Sequence, residues 1–297
     1  VSNPTRDLIC VPNHQLPSQN PEGRLMNIIR DGKKVAYLGR MVKRGPVREQ
    51  DFVKFGPGVS LSYELELTGT YDLSENGRYA IEYIGLGKHN VAKGAIAATP
   101  TYLWLEGRTQ AFSNAKLLAK PSSPQMQGVT YTGACTTSQK TALADALLAA
   151  RAYAANSANY FASTRGETPR YTTWFGVPTR AHWSAVKANF NAELDAFDNK
   201  PLTLDCSCKD SSYAYVYPAQ PYKIYLCNAF WAAPMTGTDS KGGTLIHEMA
   251  HFNVVAGTND WAYGQSAAKA LAISNPDRAV DNADSHEYFA ENTPAQP

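Results

Sequence analysis

The sequence predicts an α+β chain. A β-sandwich-like N-terminal region is followed by a mainly helical domain that carries a small β-sheet. Three observations point there. Short runs with strand-like alternation fill the region before residue 106. Long alanine-rich or amphipathic stretches dominate after residue 136. Three short β-branched and aromatic runs separate the later helices. The chain has 297 residues, 43% of them hydrophobic, yet no stretch approaches the ~20 apolar residues of a membrane helix. A formal net charge of +2 gives no basic excess for a nucleic-acid partner. The first half is net basic and the second net acidic, so the two halves can attract each other.

In the N-terminal region, Pro4, Pro12, Pro17 and Pro21 mark an irregular lead-in. Residues 35–38 and 59–67 read as strands. In the second of these, Val59, Leu61, Tyr63, Leu65 and Leu67 alternate with Ser60, Ser62, Glu64 and Glu66. An Asn76-Gly77 turn leads into a strand over 79–84, and another strand covers 101–105. His14 and His89 have no partner motif and read as loop histidines. Residues 111–125 are a basic stretch ending in Pro121-Ser122-Ser123-Pro124, which is linker composition and a proteolysis site. The expected organisation is residues 1–125, linker included, then 126–297.

The second region opens with Thr136-Thr137-Ser138, which can cap a helix through Leu143, Leu147, Ala150 and Ala154. A second helix covers 181–197, with Trp183, Val186, Phe190, Leu194 and Phe197 on one stripe. Strands follow at 202–205, 213–217 and 223–226. Helices then cover 266–273 and 281–291. Cys206-Ser207-Cys208 is too close for easy self-pairing, so two bridges to separate partners suit it better. Cys135, Cys206, Cys208 and Cys227 allow three pairings, and Cys10 is left over as a free thiol or an intermolecular link. Disulfides imply an oxidising compartment, hence secretion.

The chemistry gathers at His247-Glu248-Met249-Ala250-His251. Helix positions four apart share a face, so both imidazoles can address one metal ion. Glu248, beside the first of them, is a carboxylate placed to take a proton from water. Ile246, Met249, Ala250 and Phe252 make the rest of the helix apolar and predict burial, where two histidines and a glutamate need partners. A hydrolytic zinc keeps three protein ligands and one open position. On the residues alone the third ligand is open: Glu287, Glu291, or Asp260 in the glycine-bracketed loop Gly257-Thr258-Asn259-Asp260-Trp261-Ala262-Tyr263-Gly264. Asp284 and Glu287, three apart on one helix face, repel unless a cation joins them.

H-E-x-x-H followed by G-T-x-D-x-x-Y-G resembles the aspzincins, the deuterolysin and peptidyl-lysine endopeptidase group of zinc metalloproteases, over residues 130–297. The resemblance implies one Zn²⁺ per chain held by His247, His251 and Asp260, with Glu248 as general base and Tyr263 steadying the oxyanion. It implies disulfides Cys135–Cys206 and Cys208–Cys227, and a sheet edge that holds extended protein or peptide substrates. From the peptidyl-lysine subgroup it implies that Asp284 and Glu287 line a pocket for the lysine after the cut bond. An exposed acidic face and partners of the zinc histidines are the other readings of that pair.

The relatives are made as zymogens, so residues 1–125 are expected to be a prodomain that chaperones and inhibits its own enzyme within a monomer. Lys116 or Lys120 near the junction would enter the acidic pocket or be cut there. The rival reading is a zinc-stabilised secreted binding protein with an inactive protease-like domain and a permanent β accessory domain.

Overall fold

The computed structural model describes residues 1–18, 21–84, 98–106, 128–164 and 166–297. The chain divides into two compact units, Val1–Gly39 with Arg48–Gln125, and Arg40–Val47 with Met126–Pro297. A short piece of the N-terminal half therefore belongs with the C-terminal unit.

The first seven strands are β1 (Ile9–Pro12), β2 (Met26–Arg30), β3 (Lys33–Lys34), β4 (Met41–Lys43), β5 (Phe52–Phe55), β6 (Gly77–Tyr83) and β7 (Thr101–Leu105). All but β4 lie in the first unit. There β1 pairs with β5, and a four-stranded antiparallel sheet has the order β3-β2-β6-β7. The β2–β3 hairpin turns through Asp31 and Gly32, both with positive φ, as a tight hairpin with an Asp-Gly turn requires.

The strand expected at 59–67 does not form, and Ser60 makes only an isolated bridge to Ser2. Its alternation survives as exposure: Tyr63, Leu65 and Leu67 are half-buried while Ser62, Glu64 and Glu66 are exposed. Tyr63 packs on the Ile9, Val11, Leu16 and Phe55 core. An extended segment lying on an apolar surface shows the same period as a strand, but a strand also needs a partner for its backbone groups. The expected strand at 35–38 is likewise reduced to a bridge between Tyr37 and Tyr71.

The second unit continues with β8 (Thr130–Thr132), α1 (Thr137–Ser163), α2 (Pro169–Phe175), α3 (Arg180–Asn199), β9 (Thr203–Asp205), β10 (Ala214–Val216), β11 (Lys223–Leu226), α4 (Asn228–Ala232), α5 (Lys241–His251), α6 (Gln265–Ser274), α7 (Pro276–Val280) and α8 (Ala283–Glu291). Thr136 caps α1 in a reciprocal capping box with Gln139. The sequence reading passed over α2, although Thr168 caps it and Pro169 stands at its first turn. A five-stranded sheet runs β4-β10-β11-β9-β8. In it β10 is antiparallel to both β4 and β11, and β9 is parallel to β11 and β8.

Helix α5 packs against α1 and α8. Phe161, Phe190 and Phe289 stack beside that layer, with ring centroids 5.2–5.9 Å apart. Cys135–Cys206 and Cys208–Cys227 are bridged, with sequence separations of 71 and 19. Closing loops of those lengths limits the unfolded chain by about 4 and about 3 kcal/mol respectively in the chain-entropy model. Cys10 is free. No helix among the described residues is long and apolar enough to cross a membrane.

Candidate active site

Every residue of α5 is buried, so its polar side chains must find partners within the protein. The helix starts at Ser240, whose hydroxyl accepts from the Gly243 amide at 2.9 Å. Gly243 is required by close approach: a Cβ there would stand 2.0 Å from Glu291 Oε1. That space lets Glu291 reach the start of α5, where Oε1 accepts from the Ser240 amide and hydroxyl at 2.8 and 2.7 Å.

Three donor atoms converge one turn further on. His247 Nε2 and His251 Nε2 are 3.1 Å apart, and each lies 3.3 Å from Asp260 Oδ1. Ligands bound at about 2.0–2.1 Å to a tetrahedral ion stand about 3.3 Å from one another. Two imidazoles and a carboxylate are a zinc donor set. Both Asp260 carboxylate oxygens are buried without a hydrogen-bonding partner among the described residues, a polar pair that a cation would satisfy. The residues fit a zinc ion.

Each donor is also held from behind. His251 Nδ1 lies 2.9 Å from the Thr258 carbonyl, which fixes the ring with Nε2 inward. His247 Nδ1 lies 2.8 Å from Asp284 Oδ1 and 3.4 Å from Glu287 Oε2. Asp260 comes back from a loop that starts at Gly257, where φ is 64°. The loop is tied to the start of α8: the Asn259 amide donates to the Asp281 carbonyl, and Asn282 Oδ1 accepts from the Trp261 and Ala262 amides. Burial opposes charge on Asp260, but the His251 and His247 imidazoles hold its carboxyl far below the usual range.

Of the three candidate third ligands, only Asp260 reaches the two Nε2 atoms. Glu287 stands behind His247, and Glu291 is occupied at Ser240. Glu248 is fully buried and neither of its oxygens has a hydrogen-bonding partner among the described residues. Burial pushes its carboxyl up to about 7, against the pull of His247 and His251, which is the range a general base uses near neutrality.

Asp284 and Glu287 are fully buried, so the exposed acidic face is excluded. They sit behind His247 and also face a cation, which makes both remaining readings of the pair geometrically compatible. The cation is Lys43 of β4, itself fully buried. Its Nζ is 2.5 Å from Glu287 Oε2, 3.7 Å from Asp284 Oδ1 and 3.9 Å from Asp239 Oδ1. It lies over the Tyr213 ring at 5.1 Å and the Tyr288 ring at 6.0 Å. Burial lowers its affinity for a proton, but Glu287, Asp284 and Asp239 together raise it above the ordinary lysine range. Tyr288 donates to Asp239 at 2.6 Å, and the Gly264 amide donates to Asp284 Oδ2 at 2.6 Å. Tyr263 donates its hydroxyl to the Val42 carbonyl at 2.9 Å.

Lys116 and Lys120 lie outside the described residues. The lysine that meets the acidic pair is Lys43, which the sequence reading missed along with Asp239. Met41, Val42 and Lys43 are all buried, so no alternation marked the strand that carries it.

Comparison with known proteins identifies the family. The aspzincin model described as lysine-specific metallo-endopeptidase matches residues 160–291. An extracellular protease of Aeromonas hydrophila is 44% identical over 95% of this chain and 83% of its own length. A peptidyl-Lys metalloendopeptidase of Grifola frondosa is 38% identical over all of this chain and 84% of its own. A solved zinc peptidase from Grifola frondosa superposes with a TM-score of 0.54 at 49% identity, covering 55% of this chain and 100% of that one. The family model and a metalloendopeptidase relative 38% identical over the whole chain and 84% of its own length place the chain in the aspzincin family of zinc metalloendopeptidases.

Proposed function

We propose that the protein is a secreted endopeptidase, made as a proenzyme, that cuts peptide bonds on the N-terminal side of lysine. It uses one zinc ion per chain, held by His247, His251 and Asp260. The observation that carries this is the convergence of those three donor atoms beside a buried, unpaired Glu248. Every group that hydrolysis needs is buried and convergent, which favours the enzyme over a zinc-stabilised binding protein.

When bound, zinc supplies Lewis-acid polarisation of the scissile carbonyl and acidifies water. The residues do the rest. Glu248 takes the proton from the attacking water and passes it to the leaving amine. The Tyr263 hydroxyl donates to the oxygen that gains charge on the carbonyl, where a preorganised donor acts most strongly. Asp284 orients His247 through Nδ1. Asp284 and Glu287, with Asp239 beside them, hold the ammonium of the lysine after the cut bond.

Residues 1 to about 125 act as a prodomain that assists folding and blocks the enzyme within a monomer, and the blocking lysine in this reading is Lys43. The relative named an extracellular protease and the two disulfides support secretion. The test is a cleavage-site map. Matured, zinc-loaded protein is incubated with a denatured proteome and the new termini are read by mass spectrometry. Lysine dominating the position after the cut is the expected result. Cuts without that preference return the pocket carboxylates to a structural role, and no cuts at all reject the enzyme.

A further inference from the structure

Strand β4 is held the way an extended peptide is held by strand addition. It lies antiparallel along β10 with Lys43 opposite Ala214, Val42 opposite Tyr215 and Met41 opposite Val216. The Tyr213 amide donates to the Lys43 carbonyl at 3.1 Å. The Lys43 side chain fills the acidic pocket, and a buried lysine is tolerated only because Glu287, Asp284 and Asp239 compensate its charge. On the other side of the same peptide bond, the Val42 carbonyl accepts from Tyr263. A lysine kept only for stability would need the carboxylates. It would not need the preceding carbonyl on Tyr263, nor the backbone in register on β10. Strand pairing, lysine pocket and oxyanion donor all meet at the bond between Val42 and Lys43.

We propose that Val42–Lys43 is a processing site that the enzyme cuts in its own chain, with Arg40–Val47 serving as a built-in substrate. This rests on the function proposed above. The water oxygen bonds to the Val42 carbonyl carbon and the bond from that carbon to the Lys43 nitrogen breaks. Glu248 moves one water proton to that nitrogen, and the second water proton leaves the new carboxyl group for the same nitrogen. The products are a chain ending in the Val42 carboxylate and a chain beginning with the Lys43 ammonium. One water is consumed and nothing is oxidised or reduced. Until the bond is cut, Lys43 keeps any other lysine out of the pocket.

The test uses the full-length zinc-loaded chain, its Glu248→Gln variant and its Lys43→Ala variant, followed by intact mass and N-terminal analysis. The wild type is expected to yield a new N-terminus at Lys43, at a rate unchanged over a hundredfold dilution, as an intramolecular cut requires. Glu248→Gln should slow it at least a hundredfold, and Lys43→Ala should abolish it. A second readout needs no catalysis. A labelled peptide of residues 40–47 should bind Glu248→Gln at least tenfold more weakly than it binds Glu248→Gln/Lys43→Ala, whose cleft is vacated.

Wild type that cuts a denatured protein before lysine while its own Val42–Lys43 bond stays intact overturns the proposal and leaves the enzyme standing. A rate that scales with concentration also overturns it, since one molecule is then cutting another. A chain that cuts neither itself nor the denatured protein rejects both readings. If Lys43→Ala does not fold, the wild-type terminus and its dilution series decide alone.

Discussion

The three-donor cluster and the acidic pocket share His247 but draw on the chain differently. His247, His251 and Asp260 come from one helix and the loop after it. The pocket draws Asp284 and Glu287 from α8, Asp239 from the turn before α5, and its occupant Lys43 from a strand far upstream. One ring separates the two: Nε2 faces the donors and Nδ1 faces Asp284. In the proposed function, catalysis and specificity are therefore adjacent but separable, and substitutions can divide them.

The largest expected effect lies on the donor side. Glu248→Gln should lower turnover by about 10²–10⁴-fold, the usual worth of a positioned general base. Zinc content by atomic absorption and the melting curve should be unchanged. A zinc-loaded variant with near-normal turnover would remove Glu248 from the chemistry.

Next in size is a pH effect at the rear of the pocket. Burial, and then the Glu287 charge, push the Glu291 carboxyl from 4.5 up to about 8. The folded chain then keeps a proton that the unfolded chain releases above about 4.5. Stability should fall as pH rises from about 4.5 towards 8, by on the order of a few kcal/mol. Glu291→Gln should flatten that slope in urea unfolding measured at pH 5 and pH 8. An unchanged slope would assign the pH dependence to other groups.

The donor side was legible in sequence because its residues are close in the chain and their spacing has a geometric meaning. The helices over 181–197 and 266–273 were legible because their apolar period agrees with packing, and Thr179 caps the first of them. The edge strand β4 was not. Met41, Val42 and Lys43 are all buried, so no alternation marks them, and the strand exists only because β10 offers an unpaired edge. Residues 59–67 show the converse: full alternation and no ladder. Alternation reports which side faces a core, whereas strand pairing depends on a partner that local sequence does not name. Asp239 was hidden for a similar reason. It carries a positive φ of 53° in a turn with no motif, and its role follows only from where Lys43 ends.

Asp284 touches both regions and should report on both. Asp284→Asn should weaken zinc binding about 10–100-fold, as loss of a carboxylate behind a ligating histidine does. It should also lower the preference for lysine after the cut. Zinc affinity by competition with a chelator, set beside kcat/KM for matched lysine and alanine peptides, measures the two separately. If only one of them moves, the shared role of Asp284 fails and the two regions are independent.

Asp239→Asn should give the smallest effect and the cleanest separation. Its carboxylate is 3.9 Å from Nζ, its side chain is 25% exposed, and it makes no contact with the donor cluster. A partly exposed ion pair at that distance contributes about 0.5–1 kcal/mol, so KM for lysine peptides should rise about two- to fivefold. Tyr288 still has an oxygen to donate to in the asparagine, so the turn is retained. kcat and zinc affinity should stay at their wild-type values, because Asp239 neither orients His247 nor faces the carbonyl on Tyr263. A fall in kcat at constant KM would mean that Asp239 acts on the reacting groups. The boundary between pocket and donors would then not run through the His247 ring.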